Sequence, residues 1–127
     1  LKEFHFVSER ACREYLEIPQ HERDQFGVTL NAVAGDQGVL PEDEYYTGDG
    51  VTSKSLKGLG KGVSVIQLSI NGSPAYRVVY CVRFANRLYL LHSWVKTTNG
   101  VDRPAMELVK ARYKAMLEDL RRDGYKV

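Results

Sequence analysis

The chain has 127 residues, 43% of them hydrophobic and 27% charged, enough to bury a core in one domain over residues 1–127 and too few for two. Cys12 and Cys81 match no metal or redox spacing and read as free thiols of a reducing compartment. No run reaches the ~20 apolar residues that span a bilayer, and the first residues lack a signal peptide's apolar centre, so a cytoplasmic protein with no membrane contact is expected.

The net charge of +2 conceals an asymmetry. Leu1 to Gly50 carries 4 basic and 11 acidic residues, net −7, whereas Val51 to Val127 carries 14 and 5, net +9. From Gly50 to Val101 there is no Asp or Glu, yet seven Lys or Arg occur: Lys54, Lys57, Lys61, Arg77, Arg83, Arg87 and Lys96. A stretch of that kind points to a polyanionic partner, chiefly nucleic acid.

In chain order, Lys2 to Val7 reads as a short strand with Phe4 and Phe6 on one face. Ser8 suits a helix N-cap. Ala11, Tyr15, Leu16 and Ile18 then recur at helical spacing, Pro19 interrupts, and Phe26, Leu30 and Val33 extend the pattern to Gly35, which predicts a helical hairpin. Gly35 to Gly50 turns to Gly, Pro and acid around Tyr45 and Tyr46 and reads as a long surface loop. Leu56 to Gly62 is glycine-rich and basic but matches no phosphate-loop motif, so it reads as a turn.

Three runs of β-formers follow, at Val63–Ile70, Ala75–Phe84 and Leu88–Val95, with turn signals at Asn71-Gly72 and Asn86. They predict an antiparallel meander. Alternation assigns Ile66, Leu68 and Ile70 to the core and Gln67 and Ser69 to the other face; it groups Arg77 with Arg83, and His92 with Trp94 and Lys96. Asp102 then suits the cap of a final helix with Pro104 in its first turn and Gly124 at its end. Its stripe is Ala105, Leu108, Val109, Tyr113, Met116, Leu117 and Leu120, leaving Lys110, Arg112, Lys114, Arg121 and Arg122 mostly toward solvent. The expected fold class is α+β: an antiparallel sheet of about 4–5 strands, an N-terminal helical hairpin and a C-terminal helix.

No zinc-binding, P-loop or nucleophile-elbow motif is present, and neither a metal nor another cofactor is expected. Cations without carboxylates suit metal-free RNA scission, in which a base deprotonates the 2′-hydroxyl, cations stabilise the phosphate and an acid protonates the leaving oxygen. A Lys among other cations can have its pKa lowered far enough to act as that base. Ordinary structural roles remain open for each candidate: a surface ion pair for Arg77, a hydrogen-bonded structural role for His92, packing for Trp94, solvation for Lys54, Lys57 and Lys61.

The order of these segments resembles the RelE/HigB superfamily of type II toxins, in particular its HigB-like, phage-derived branch. The similarity rests on Phe6-Val7-Ser8 before a helical hairpin, Lys54-Ser55-Leu56-Lys57-Gly58-Leu59, Ala75-Tyr76-Arg77-Val78-Val79-Tyr80, and Leu90-Leu91-His92-Ser93-Trp94-Val95-Lys96 before a basic helix. Gln67-Leu68-Ser69 stands where relatives carry a further cation, and the family's Lys-Lys pair is reduced to Lys96-Thr97. The resemblance implies a RelE/ParE-like fold and a ribosome-dependent mRNA endonuclease that inhibits translation, neutralised by a cognate antitoxin with a helix-turn-helix domain. It implies Arg77, Lys96, His92 and Lys57 as catalytic residues; Lys54, Lys61, Arg83 and Trp94 are the expected RNA contacts. Two alternatives stay open: a non-catalytic, ParE-like poison of DNA gyrase acting through protein contacts, and a plain RNA-binding protein.

Overall fold

The computed structural model describes residues 2–35, 45–46, 50–59, 65–82, 84, 86–97 and 99–127. Lys61 and Arg83, two of the expected RNA contacts, lie outside the described residues, as does most of the Gly35–Gly50 loop.

Among the described residues nine elements follow one another: β1 (Glu3–Phe6), α1 (Glu9–Glu17), α2 (Gln20–Gly35), β2 (Tyr45–Tyr46), β3 (Thr52–Ser55), β4 (Val65–Ile70), β5 (Ala75–Cys81), β6 (Arg87–Lys96) and α3 (Arg103–Arg122). The fold class is α+β, as the sequence predicts. The Ser8 hydroxyl accepts from the Ala11 amide at 3.1 Å and starts α1. Pro19, which lacks an amide hydrogen, falls in the break between α1 and α2. The Asp102 carboxylate accepts from the Ala105 amide at 3.2 Å and starts α3, with Pro104 in its first turn.

The six strands form one sheet in the order β1-β6-β5-β4-β3-β2. Every neighbouring pair is antiparallel except β1 with β6, which run parallel. β2 and β3, at Tyr45–Tyr46 and Thr52–Ser55, extend the meander beyond the three runs legible in the sequence. The β4–β5 loop holds four residues, Asn71 to Pro74, the gap left between the two runs in the sequence. Pro74 cannot donate to the ladder and stays outside it.

Each face of the sheet carries a core. On one, Ile66, Leu68, Val78, Tyr80, Leu88 and Leu90 pack against Phe26, Leu30 and Val33 of α2. On the other, Val65, Val79, Cys81, Tyr89 and Leu91 pack against Val109, Tyr113, Met116 and Leu120 of α3. Alternation along β6 serves both sets, and a bulge follows: Tyr80 pairs with Leu90 and Val79 with His92, so Leu91 is an extra residue. Before it, Tyr89 faces α3; after it, His92 and Trp94 share the face of their partners Val79 and Arg77. Among the described residues no helix is long and apolar enough to cross a membrane.

Candidate functional site

Where α3 begins, the second face of the sheet is left open. Register places Thr52, Ser69, Arg77 and Trp94 in one row across β3, β4, β5 and β6, and Lys54, Gln67, Val79 and His92 in the next. Lys96 follows opposite Ala75. Short Thr52 and Ser69 beside Arg77 leave room over the sheet. The result is a cavity of about 360 Å³ lined by Thr52, Lys54, Gln67, Ser69, Asn71, Arg77, Trp94 and Lys96, and closed by Val101, Asp102 and Met106 at the start of α3.

Arg77 is only 8% exposed. Its guanidinium donates to the Tyr76 carbonyl and to Asn71 Oδ1, both at 3.0 Å. No carboxylate among the described residues lies within ion-pair reach. Burial pushes its pKa down, yet a guanidinium stays protonated near neutrality, so the charge persists largely out of water with no counter-ion among the described residues. Lys96 Nζ donates to the Gly100 carbonyl at 2.6 Å, which fixes the ammonium at the cavity wall with two donors to spare.

His92 shares this face but is missing from the cavity wall. Its ring stacks on Trp94 with centroids 4.6 Å apart and 15° between planes. Its Nδ1 lies 2.8 Å from Glu14 Oε1 on α1. An ionised carboxylate only accepts, so that contact puts the ring proton on Nδ1 and leaves Nε2 as the acceptor. Arg112 of α3 holds the same carboxylate in a bidentate grip, Nη1 to Oε1 at 2.6 Å and Nη2 to Oε2 at 2.8 Å, and donates to the Leu91 carbonyl at 2.8 Å. Arg112 is thus 8% exposed, which corrects its expected place in solvent. The helical period sets it beside Tyr113, and a partner 98 positions away in sequence draws it inward. Burial pushes the Glu14 carboxyl up, but hydrogen bonds from Arg112 and His92 outweigh that and hold it below its ordinary value. Burial pushes His92 down, against the opposing pull of Glu14.

The cavity therefore brings together Lys54, Arg77, Trp94 and Lys96 of the expected residues. Lys57 is exposed and lines a separate groove with Leu59, Met106 and Lys110. Asp102 was not anticipated: the acid-free stretch ends at Val101, and the next residue lines the cavity. Glu14 and Arg112 were missed as well, because their meeting depends on how α1 and α3 pack against β6.

A mixed sheet, helices on both faces and a cation-lined cavity beside a helix start define an α+β domain suited to an anionic ligand. The chain belongs to the phage-derived Gp49-like family: the model described as "Phage derived protein Gp49-like (DUF891)" matches residues 13–114, which include every cavity residue named above. Neither the curated proteins nor the solved structures yield a match.

Proposed function

We propose that this chain is the toxin of a type II toxin–antitoxin pair in the HigB-like branch of the RelE/HigB superfamily, and that it cleaves mRNA on the ribosome, in the cytoplasm, without a metal. The observation that carries this reading is Arg77: a desolvated guanidinium with no carboxylate partner among the described residues, beside Lys96 and Lys54. Such a charge is stabilised by a phosphate, whose oxygens match its donors.

In this reading Arg77 and Lys96 hold the scissile phosphate and stabilise the charge that builds on its oxygens. The 2′-oxygen attacks phosphorus as its proton passes to a base. The bond to the 5′-oxygen breaks, and that oxygen takes a proton from an acid, leaving a 2′,3′-cyclic phosphate and a 5′-hydroxyl. Asp102 and Lys54 are the titratable groups of the cavity wall besides Arg77 and Lys96, and they take the base and acid roles in preference to His92 and Lys57. One carboxylate oxygen of Asp102, Oδ1, caps α3. The partner is a cognate antitoxin with a helix-turn-helix domain.

Induced expression followed by mapping of mRNA 5′ ends tests this. Cuts at codons that disappear with Arg77→Ala, while the variant stays folded, are the expected result. Intact mRNA with a DNA-damage response would instead favour a ParE-like poison of gyrase acting through protein contacts. Gln67 and Ser69, neutral where relatives carry a cation, are what keep that second reading in play.

A further inference from the structure

Beyond Arg77 and Lys96 lies a second cavity, of about 670 Å³, formed by the β4–β5 loop and the segment after β6. Asn71, Arg77 and Lys96 line both cavities, so these three residues form the wall between them. The two chambers differ in chemistry. The first has an apolar floor of Leu56, Trp94 and Met106 beside Lys54, whereas the second adds only small or neutral polar residues, chiefly Ser73, Thr97 and Asn99. Each volume falls within the range of small-molecule sites.

We infer that the second cavity is a base-reading subsite, which takes the nucleobase on the far side of the phosphate held by Arg77 and Lys96 and selects it through Asn71, Thr97 and Asn99. The inference rests on the phosphate reading of Arg77 given above. A single-stranded polynucleotide alternates phosphates with bases, so a phosphate seated at the shared wall sends one neighbouring nucleotide into each chamber. An apolar floor beside an aromatic ring receives a base by shape and stacking, whatever its identity. A chamber of amides and hydroxyls without charges of its own distinguishes bases by hydrogen bonds.

The orientation of Asn71 gives the selection a direction. Arg77 can only donate, so the 3.0 Å contact from its Nη2 commits Asn71 Oδ1 and turns the Asn71 amide nitrogen, with its two donors, away from that bond. Asn71 is exposed, so those donors are available to a ligand. The subsite therefore offers a fixed donor pair next to the phosphate, which favours a base presenting a carbonyl oxygen, such as uracil or guanine, over adenine.

Fluorescence anisotropy with short uridine oligomers, blocked against cleavage by a 2′-deoxy at one step, tests this when the base on either side of that step is varied. The full chain is expected to discriminate at one of the two positions by about five- to ten-fold, the effect of one or two hydrogen bonds, and to be indifferent at the other. Asn71→Asp with Thr97→Val and Asn99→Ala, which removes the selecting donors but keeps an oxygen to accept from Arg77, should reduce that discrimination to less than about two-fold. Arg77→Ala should weaken all oligomers alike. Equal affinities for all four bases at both positions, or discrimination that survives the triple substitution, would overturn the subsite while leaving the phosphate reading standing. Affinity indifferent to Arg77→Ala would remove the phosphate reading and the subsite with it.

Discussion

At the scale of the residue, Arg77 illustrates how one side chain can be fixed by the fold and still be open to a ligand. Its two hydrogen bonds go to neutral oxygens, so its charge is oriented but not neutralised. The planar fork, rather than the charge alone, should matter. Arg77→Lys is expected to retain the fold by circular dichroism and to lose about 10²-fold in RNA cleavage, the usual cost of one preorganised donor. Cleavage at the parental rate would mean that a point charge suffices. Tyr80 poses the opposite case: fully buried, its hydroxyl has no partner among the described residues, and burial pushes its pKa far up. Tyr80→Phe removes a desolvated polar group at almost no loss of volume. Urea denaturation should show stability unchanged or raised by about 1 kcal/mol; a loss of that size would point to a partner for the hydroxyl. The sequence carried Arg77 clearly, as an Arg between Tyr76 and Val78 in an apolar run. It could not carry the burial of Tyr80's hydroxyl, which depends on what α2 brings over it.

At the scale of the element, α1, β6 and α3 are joined by the ion group of Glu14, His92 and Arg112. Removing one member leaves a buried charge unmatched, so Glu14→Ala and Arg112→Ala should each cost about 3 kcal/mol, whereas Glu14→Leu with Arg112→Met should cost less than either single change. Additive losses in equilibrium unfolding would deny the coupling. The same group makes acid destabilising. Both pKa values are lower in the fold than in the unfolded chain, so the unfolded chain binds more protons as pH falls. The part due to His92 is complete above its ordinary 6.5 and is lost as pH falls through its folded value; the part due to Glu14 is present above 4.5 and fades as pH falls further. The urea midpoint should be flat above neutrality and then decline in two stages, and a midpoint constant down to about pH 4 would contradict this. Helix starts were legible element by element, since Ser8 and Asp102 act locally. β3 was not: its four residues, Thr52 to Ser55, are polar or basic and form a strand because β4 offers an edge. Glu14 escaped notice because a carboxylate on an amphipathic helix looks solvated until a partner from another element is seen.

Across the whole molecule, the charge asymmetry reduces to a local arrangement. Lys54, Arg77 and Lys96 come from three different strands and meet at one cavity, while Lys57 turns to another groove. The excess of cations in the sequence thus foretold the sign of the surface but not which of its members act together; register across β3 to β6 decides that. If these three each neutralise one phosphate, log affinity for single-stranded RNA should fall with log salt at a slope of about −2, and Arg77→Ala should make it shallower by about 0.7. Affinity independent of salt would remove the cavity as the contact surface. The absence of acids was also only partly informative. Asp102 lies one position past the end of the acid-free stretch, and α3 turns it toward the cations.

The extra residue Leu91 has a consequence for length. Up to Leu90 the strand is written in one phase, with even positions against α2; from His92 onward even positions face the cavity. Deleting Leu91 would restore a regular ladder, with Leu88 and Leu90 still seated against α2 and Trp94 still opposite Arg77. Every cation of the site would keep its face, and the loss would fall on the core against α3, which Leu91 helps to fill. The phase of β6 at the site is thus set by its pairing with β5, and the extra residue serves the packing beneath α3.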